Sequence, residues 1–379
     1  MNRRQFTATA IAAAFGVCIA LPAAFSTRAA DIDYGKPGTP VKLVVGYQPY
    51  YTQAWSGVVM RGKKFYEKYL PKGSEVEFQI GLQGAIIVNN LLAGKQHIGY
   101  MGDMPSIVST TKQDVADVRL VANLGLAFDQ CNAFLVRKDA PEFKNAAEAI
   151  KWLGGKTVAV PKGSCTDRFA QAVFKKSSIQ PKEYLNQNIE VITSNFRAGK
   201  IDAAVIWEPT ASKLQMEGIA RRAASGEDFD ALDGGFLIAL NDLIQQRPDI
   251  IRAWLEGELD AQLYLLDPKN AGEVAKMAEQ QTEKIDRKVL WASLYGENPK
   301  TVGGGEIKNQ LEFVVNDRVR KLLDDATAFL YSLDAKPAAA EKVRPEAVAD
   351  QTAREVLKAR GLSSPLGVIK EQPLTAYKP

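Results

Sequence analysis

The chain has 379 residues, of which 46% are hydrophobic and 24% charged, and its mean hydropathy is −0.17. This composition is typical of a globular protein and excludes a disordered chain, a collagen-like chain and a polytopic membrane protein. The length predicts two domains, each large enough to bury its own core. His97 is the single histidine, which excludes metal sites built from several histidines, and without a Gly-x-Ser-x-Gly motif we do not expect it to be catalytic.

The first 29 residues have the pattern of an export signal. Paired arginines precede an apolar run over residues 8–25, and the first acidic residue is Asp31. The Arg-Arg-x-Phe sequence resembles a twin-arginine signal, and the small residues around Ala29 suit cleavage there. The sequence therefore predicts a periplasmic protein whose signal peptide, residues 1–29, is cleaved near Ala29.

Two other interpretations of this segment remain open. A transmembrane anchor needs an unbroken apolar run, whereas Gly16 and Pro22 interrupt this one. A lipoprotein needs a small residue before Cys18, and Val17 stands there. Both observations favour the cleaved signal.

The mature chain is nearly neutral and keeps two cysteines. Removal of the signal takes away three arginines and no acid, which lowers the formal charge from +4 to +1. No block of lysines and arginines with interleaved aromatic residues remains, so nucleic acid is not expected as a partner. An oxidising compartment favours a disulfide between Cys131 and Cys165. Two buried small side chains, or one reactive thiol, are the alternatives.

Predicted strands and helices alternate along the mature chain. In the first part, strands are predicted at residues 41–47, 76–80, 97–101 and 118–124, and helices at 85–92 and from Gly102 onward. In the second part, strands are predicted at 132–137, 156–160, 189–192 and 201–207, and helices at 145–153 and 166–174. A strand at 236–240, an apolar helical stripe over 251–263 and further helices through 318–333 follow, and the remaining tail is expected to pack on the first lobe. This spacing indicates βαβ units.

These elements predict an α/β protein with two lobes, each a mainly parallel sheet flanked by helices, and a ligand cleft between the lobes. We expect lobe 1 to comprise residues 40–128 and 235–379, and lobe 2 to comprise residues 129–234. An Ala-Gly-Lys turn, a strand and an acid-proline unit occur in both lobes, beginning near Gly94 and Gly199. This repeated pattern is consistent with two related lobes.

The loops that follow the predicted strands supply the candidate ligand site, because ligands of open α/β sheets bind outside the carboxyl ends of the strands. Residues 161–166 follow a strand and begin a helix, so their free N–H groups favour an anion. An ordinary helix cap is the alternative. Tyr50, Tyr51 and Trp207 lie near strand ends, where they suit either stacking on an apolar part of a ligand or ordinary packing.

Five segments in this order carry a resemblance to a known family: VVGYQP (44–49), LLAG (91–94), IGYMGDMP (98–105), VAVPKGS (158–164) and AGKIDAAVIWEP (198–209). With the leader, they resemble the nitrate/sulfonate/taurine type of periplasmic substrate-binding protein from ABC importers. The resemblance covers about residues 41 to 270.

The resemblance implies a type II periplasmic-binding-protein fold whose lobes close on a small solute by hinge motion. It implies delivery of the solute to membrane permease subunits driven by a cytoplasmic ATPase, with no catalysis, cofactor or metal, and we expect a monomer. The family's ligand loops, with the adjoining Tyr51 and Cys165, give the candidate ligand-binding residues Gln48, Tyr50, Tyr51, Gln83, Gly84, Gly102, Asp103, Gly163, Ser164, Cys165, Trp207 and Glu208.

The solute predicted first is a sulfonate or a taurine-like compound. Lys162 is the cation nearest to these loops, whereas Asp103 and Glu208 would repel an anion unless they cap helices or bind its amine. That combination suits a zwitterion such as taurine, or an anion held by helix-terminal N–H groups. An aromatic carboxylate, a nitrate-like anion and a neutral heterocycle are the alternatives. An enzyme on the same fold, with Cys165 as nucleophile, is the alternative class, and a Cys131–Cys165 disulfide would remove its thiol.

Overall fold

A computed structural model of the chain describes residues 32–333, 337–338 and 340–378. The predicted signal peptide, its cleavage site at Ala29, and the anchor and lipoprotein alternatives lie outside the described residues. Within them, every helix is either too short or too polar to cross a membrane.

The strands and helices alternate along most of the chain. The strands are β1 (Lys42–Tyr47), β2 (Glu75–Ile80), β3 (Ile98–Gly102), β4 (Val118–Ala127), β5 (Ala133–Arg137), β6 (Thr157–Val160), β7 (Glu183–Asn186), β8 (Ala203–Ile206), β9 (Ala220–Ser225), β10 (Asp233–Leu240), β11 (Ile307–Leu311) and β12 (Gly367–Lys370). The α-helices are α1 (Trp55–Lys63), α2 (Gly84–Leu92), α3 (Asp103–Thr110), α4 (Ala146–Trp152), α5 (Cys165–Ser177), α6 (Ile189–Arg197), α7 (Thr210–Met216), α8 (Asn241–Gln246), α9 (Pro248–Leu266), α10 (Ala271–Gln281), α11 (Arg287–Tyr295), α12 (Asp317–Ser332) and α13 (Gln351–Ala359).

The strands form two sheets. The seven-stranded sheet has the order β12-β11-β4-β10-β3-β1-β2, and the five-stranded sheet has the order β7-β6-β8-β5-β9. We call the part built on the seven-stranded sheet lobe 1 and the part built on the five-stranded sheet lobe 2. The chain passes into lobe 2 between β4 and β5 and returns between β9 and β10, so two crossover segments connect the lobes.

Both sheets are mixed, which corrects the prediction of mainly parallel sheets. In lobe 1, β1 pairs with β2 and β3 in parallel, whereas β10 and β11 pair with their neighbours in the antiparallel direction. In lobe 2, β6 pairs with β7 and β8 in parallel, and β5 is antiparallel to β8 and β9. Every antiparallel pairing except that of β11 with β12 involves a strand next to a crossover. A buried apolar strand has the same sequence pattern in either direction.

Helices cover both faces of the lobe 2 sheet, as the burial of successive side chains along β5 demonstrates. Phe134 and Val136 are completely buried in one apolar cluster with side chains of α4 and α5. Their neighbours Ala133 and Leu135 are equally buried in a second cluster with side chains of α6 and α7. Because side chains alternate along a strand, both faces of this sheet are core.

Residues 189–192, predicted as a strand, are the first turn of α6. The Val191 N–H donates to Asn188 Oδ1 at 2.9 Å, which caps the helix. Ile192 and Phe196 are buried, and their spacing of four residues puts them on one helical face. The strand predicted here is therefore wrong. A short apolar run fits the two-residue period of a strand and the 3.6-residue period of a helix equally well. Four further strands, β7, β9, β11 and β12, were not predicted.

Candidate ligand-binding site

A cavity of about 230 Å³ lies between the two lobes at the ends of several strands. Lobe 1 contributes residues from the starts of α2 and α3, and lobe 2 contributes the loop before α5 and the residue that follows β8. The lining residues are Gln83, Gly84, Ala85, Val88, Asn89, Pro105, Val108, Pro161, Lys162, Gly163, Ser164 and Trp207. This volume suits a small solute, since cavities for drug-sized ligands are larger.

The lobe 1 wall depends on close packing between α2 and α3. A Cβ atom on Gly84 would lie 2.4 Å from Cγ of Pro105, so only glycine allows the two helices to begin this close together. Gln83 is the N-cap residue of α2 and makes no side-chain capping hydrogen bond. The first N–H groups of α2 therefore have no side-chain cap and face the cavity side of the lobe.

The lobe 2 wall is the loop between β6 and α5. Gly163 has a φ of +78°, with open space where a Cβ would stand. The Ser164 hydroxyl donates to the carbonyl oxygen of Pro161 at 2.6 Å, and Ser164 makes no capping bond to α5. The ammonium of Lys162 lies 5.2 Å from the centroid of the Tyr184 ring. A second helix start and one cation thus border the cavity.

Asp167, which the sequence analysis did not select, holds this loop in place. Its Oδ2 accepts the Gly163 N–H at 2.8 Å. Its Oδ1 accepts the Tyr184 hydroxyl at 2.6 Å and the Gln171 amide at 2.8 Å. The sequence signal for such a residue is an acid in the first turn of a helix, four residues after a glycine that precedes the helix.

Asp103 lies behind the cavity wall, in an ion pair between the lobes. It is completely buried at the start of α3, where its Oδ2 accepts from Arg168 of α5 at 2.7 Å. Its Oδ1 accepts the N–H of Met104 at 2.7 Å. Burial raises the pKa of Asp103, and the Arg168 guanidinium offsets part of that rise. The prediction left open whether this acid caps a helix or binds an amine, and in the structure it accepts the first-turn N–H of Met104 and pairs with arginine.

Glu208 is also completely buried behind the cavity. Its Oε1 accepts from Arg222 of β9, and its Oε2 accepts the N–H of Ser212 at 2.9 Å. Burial raises the pKa of Glu208, and the charge of Arg222 counteracts that rise. The neighbouring Trp207 lines the cavity.

The other candidates of lobe 1 lie around the cavity rather than on its surface. Gln48 is buried behind Gly84, and its Oε1 has no hydrogen-bond partner. The Tyr50 hydroxyl accepts the N–H of Glu283 at 2.8 Å, and the Tyr51 hydroxyl is buried and donates to Gln53. Gly102 is the N-cap of α3 and packs against the Tyr51 ring.

Cys165 and Cys131 form a disulfide. Cys131 lies in the crossover between β4 and β5, and Cys165 is the first residue of α5. The bond therefore joins the crossover between the lobes to the helix whose start borders the cavity. A bonded Cys165 has no thiol, which contradicts the reactive-thiol alternative.

His97 immediately precedes β3, at the opposite end of that strand from Gly102 and the start of α3, and does not line the cavity. Its Nδ1 accepts the N–H of Val44 at 3.2 Å, and its ring packs edge-on against Tyr34. Burial lowers the pKa of His97. Among the described residues, no group of three His, Cys, Asp or Glu side chains is placed to hold a metal ion.

Several known proteins are similar to this chain in sequence and in fold. The chain is 25% identical over 249 residues to the taurine-binding periplasmic protein of Escherichia coli strain K12, an alignment that covers 63% of this chain and 73% of that protein. The periplasmic aliphatic sulphonate binding protein SsuA from Escherichia coli has a TM-score of 0.64 and 19% identity, and the match covers 83% of this chain and all of SsuA.

An enzyme also has this fold. The desulfurization enzyme DszB has a TM-score of 0.60 and 16% identity, with coverage of 84% of this chain and 99% of that chain. The two-lobed architecture is therefore shared by binding proteins and by a catalyst, and the predicted fold class is confirmed. The sequence matches the NMT1-like family over residues 36–279, which is more than half of the chain, and the protein belongs to that family.

Proposed function

We propose that this protein is the exported solute-binding component of an ABC importer and captures a small anionic or zwitterionic solute, a sulfonate or taurine-like compound. The observation that carries the proposal is the cavity between the lobes, where two helix starts without side-chain caps meet one lysine. Helix N-termini favour anions. The solute would pass to membrane permease subunits driven by a cytoplasmic ATPase.

Binding would close the two lobes on the solute. We assign residues 40–128 and 235–379 to lobe 1 and residues 129–234 to lobe 2. The two crossover segments between the sheets support this division and provide the hinge. Hinge closure around a ligand is a common way to convert binding into a shape that a partner recognises.

The protein would work in the periplasm as a monomer, after cleavage of its signal near Ala29, with neither cofactor nor metal. The disulfide between Cys131 and Cys165 supports an oxidising compartment. The paired arginines of the leader support export by the twin-arginine route.

Binding without catalysis is the function we assign. The only thiol considered as a nucleophile is bonded, and the two acids behind the cavity are each paired with an arginine. Because DszB shares the fold, the purified protein should also be incubated with sulfonates and a sulfinate while sulfite is measured. Sulfite release above the rate of a heated sample would contradict this assignment.

The function is tested by the melting temperature of the purified protein with sulfonates, taurine, nitrate, aromatic carboxylates and pyrimidines. A ligand at about 100 times its dissociation constant adds about 2.7 kcal/mol to the free energy of unfolding. We expect a selective increase with sulfonates. No increase with any sulfonate or taurine would overturn the proposed solute class.

Two variants test the location of the site. Trp207→Ala removes a wall of the cavity and should weaken binding about tenfold or more. Trp152→Ala is the matched control, because Trp152 packs on Phe143 in lobe 2 and does not line the cavity. Equal affinities of both variants and the wild type would place the solute elsewhere.

A further inference from the structure

The cavity is apolar on most of its surface and has one cation. Lys162 is the charged residue among those that line it, and no carboxylate of the described residues lies within ion-pair distance of its ammonium. The apolar part of the wall comes from both lobes and consists of Ala85, Val88, Pro105, Val108, Pro161 and Trp207. Such a lining offers an anionic head group a cation and offers the rest of a solute mostly apolar contact, and its other polar side chains, Gln83, Asn89 and Ser164, are all neutral.

In the acids closest to the cavity, each carboxylate oxygen already accepts a hydrogen bond. Both oxygens of Asp103 accept hydrogen bonds, one of them from Arg168. Both oxygens of Glu208 accept as well, one of them from Arg222. Asp167 accepts three hydrogen bonds from its own lobe. All three carboxylates are buried and none of them lines the cavity, so an ammonium group inside the cavity does not reach them.

Asp129 is buried in a pair with Lys308, and the other buried acid near this region, Asp233, is also out of reach. It begins β10, is completely buried, and its Oδ2 accepts the Cys131 N–H at 2.9 Å beneath the disulfide. Burial raises the pKa of Asp233 well above its ordinary value, which favours the neutral acid. A neutral buried acid does not replace a carboxylate as a partner for an ammonium ion.

We propose that this cavity selects sulfonates with an apolar body and discriminates against sulfonates that carry an ammonium group, so that the solute is a simple alkanesulfonate and not taurine. The inference rests on the proposed function and narrows its solute class. Lys162 and the starts of α2 and α5 hold the sulfonate, and the apolar wall packs on the carbon chain. The ammonium of taurine loses its water in the cavity without gaining a carboxylate.

Titration calorimetry of the purified protein with a matched pair tests the inference. Taurine and 1-propanesulfonate have the same chain length and the same sulfonate group. They differ at the other end, which is an ammonium group in taurine and a methyl group in 1-propanesulfonate. We expect 1-propanesulfonate to bind at least tenfold more tightly. Along the series from methanesulfonate to 1-propanesulfonate, affinity should rise about three- to fourfold with each methylene that becomes buried.

The outcomes separate the two proposals. Taurine binding as tightly as 1-propanesulfonate, or more tightly, overturns the inference and leaves the proposed function intact. An affinity that does not change along the alkanesulfonate series also overturns the inference. The absence of binding by every sulfonate and by taurine overturns the proposed solute class, and the inference with it.

A charge variant tests the role of the lysine. Lys162→Met should weaken 1-propanesulfonate binding about tenfold. Lys176→Met is the matched control, because it changes the net charge equally and lies exposed in the last turn of α5, outside the lining of the cavity. Equal losses in the two variants would mean that the lysine acts through net charge alone and would contradict the assigned contact.

Discussion

Glu258, a buried carboxyl of α9, connects the stability of the protein to pH. Tyr100 Oη donates to its Oε2 at 2.9 Å, and Gln262 Nε2 donates to its Oε1 at 2.9 Å. Removal from water raises the pKa of Glu258 from 4.5 to about 7, although these hydrogen bonds lower it. The folded protein therefore binds this proton more tightly than the unfolded chain does.

The sign of the effect follows from the two pKa values. The contribution of Glu258 is fully present below about pH 4 and decreases as the pH rises through the folded-state pKa of about 7. We expect the free energy of unfolding of the wild type, relative to that of Glu258→Gln, to fall by about 2 to 4 kcal/mol between pH 4.5 and pH 8. Urea denaturation of both proteins at several pH values measures it. A difference that does not change with pH would contradict the raised pKa.

The roles of single acids near the site could be predicted only in part from sequence. Asp103 and Glu208 were selected because they follow strands, and the sequence could not decide between capping and ligand contact. In the structure, Asp103 pairs with Arg168, 65 residues later, and Glu208 pairs with Arg222, 14 residues later. Such pairings depend on how the lobes pack together, and no local pattern of residues records them.

At the scale of elements, the disulfide fixes the start of α5 to the crossover between β4 and β5. It closes a loop between two cysteines that are 34 residues apart in sequence. A loop of this size lowers the entropy of the unfolded chain, which stabilises the folded state by about 3 to 4 kcal/mol. We expect the double variant Cys131→Ser/Cys165→Ser to lose about that much in urea denaturation.

Reduction supplies the control for this prediction. Dithiothreitol should lower the stability of the wild type to that of the double variant and leave the double variant unchanged. If the oxidised wild type and the double variant unfold at the same urea concentration, the bond does not stabilise this element. The same pair of proteins, titrated with solute, reports whether the position of α5 affects affinity.

Elements whose pattern is long and regular were predicted closely, and short ones were not. The helix predicted at residues 166–174 is α5, Cys165–Ser177, because its buried apolar side chains keep a helical period along its length. Residues 189–192 are too few to distinguish a strand period from a helical one. The side chain of Asn188 caps them as the start of a helix. The direction of each strand depends on the crossovers between lobes, which a strand's own residues do not encode.

At the scale of the whole molecule, a buried group of four charges connects the lobes. Lys308 of β11 in lobe 1 lies 2.5 Å from Asp129 of the crossover. Glu208 and Arg222 of lobe 2 form the second pair. All four side chains are buried. Burial alone raises the pKa of Asp129, but the charges of Lys308 and Arg222 outweigh this and lower it. The charges therefore stabilise one another across the hinge.

This arrangement predicts strong coupling between two residues that are 179 positions apart in the sequence. Lys308→Met leaves the buried Asp129 carboxylate without its closest cation and should lower the free energy of unfolding by about 3 to 5 kcal/mol. Asp129→Asn, added to that variant, removes the unpaired charge and should restore part of the loss. Urea denaturation of the wild type, both single variants and the double variant completes the cycle. Additive losses would mean that the two residues do not interact energetically, whereas a double variant more stable than Lys308→Met would establish that this buried pair stabilises the contact between lobe 1 and the crossover.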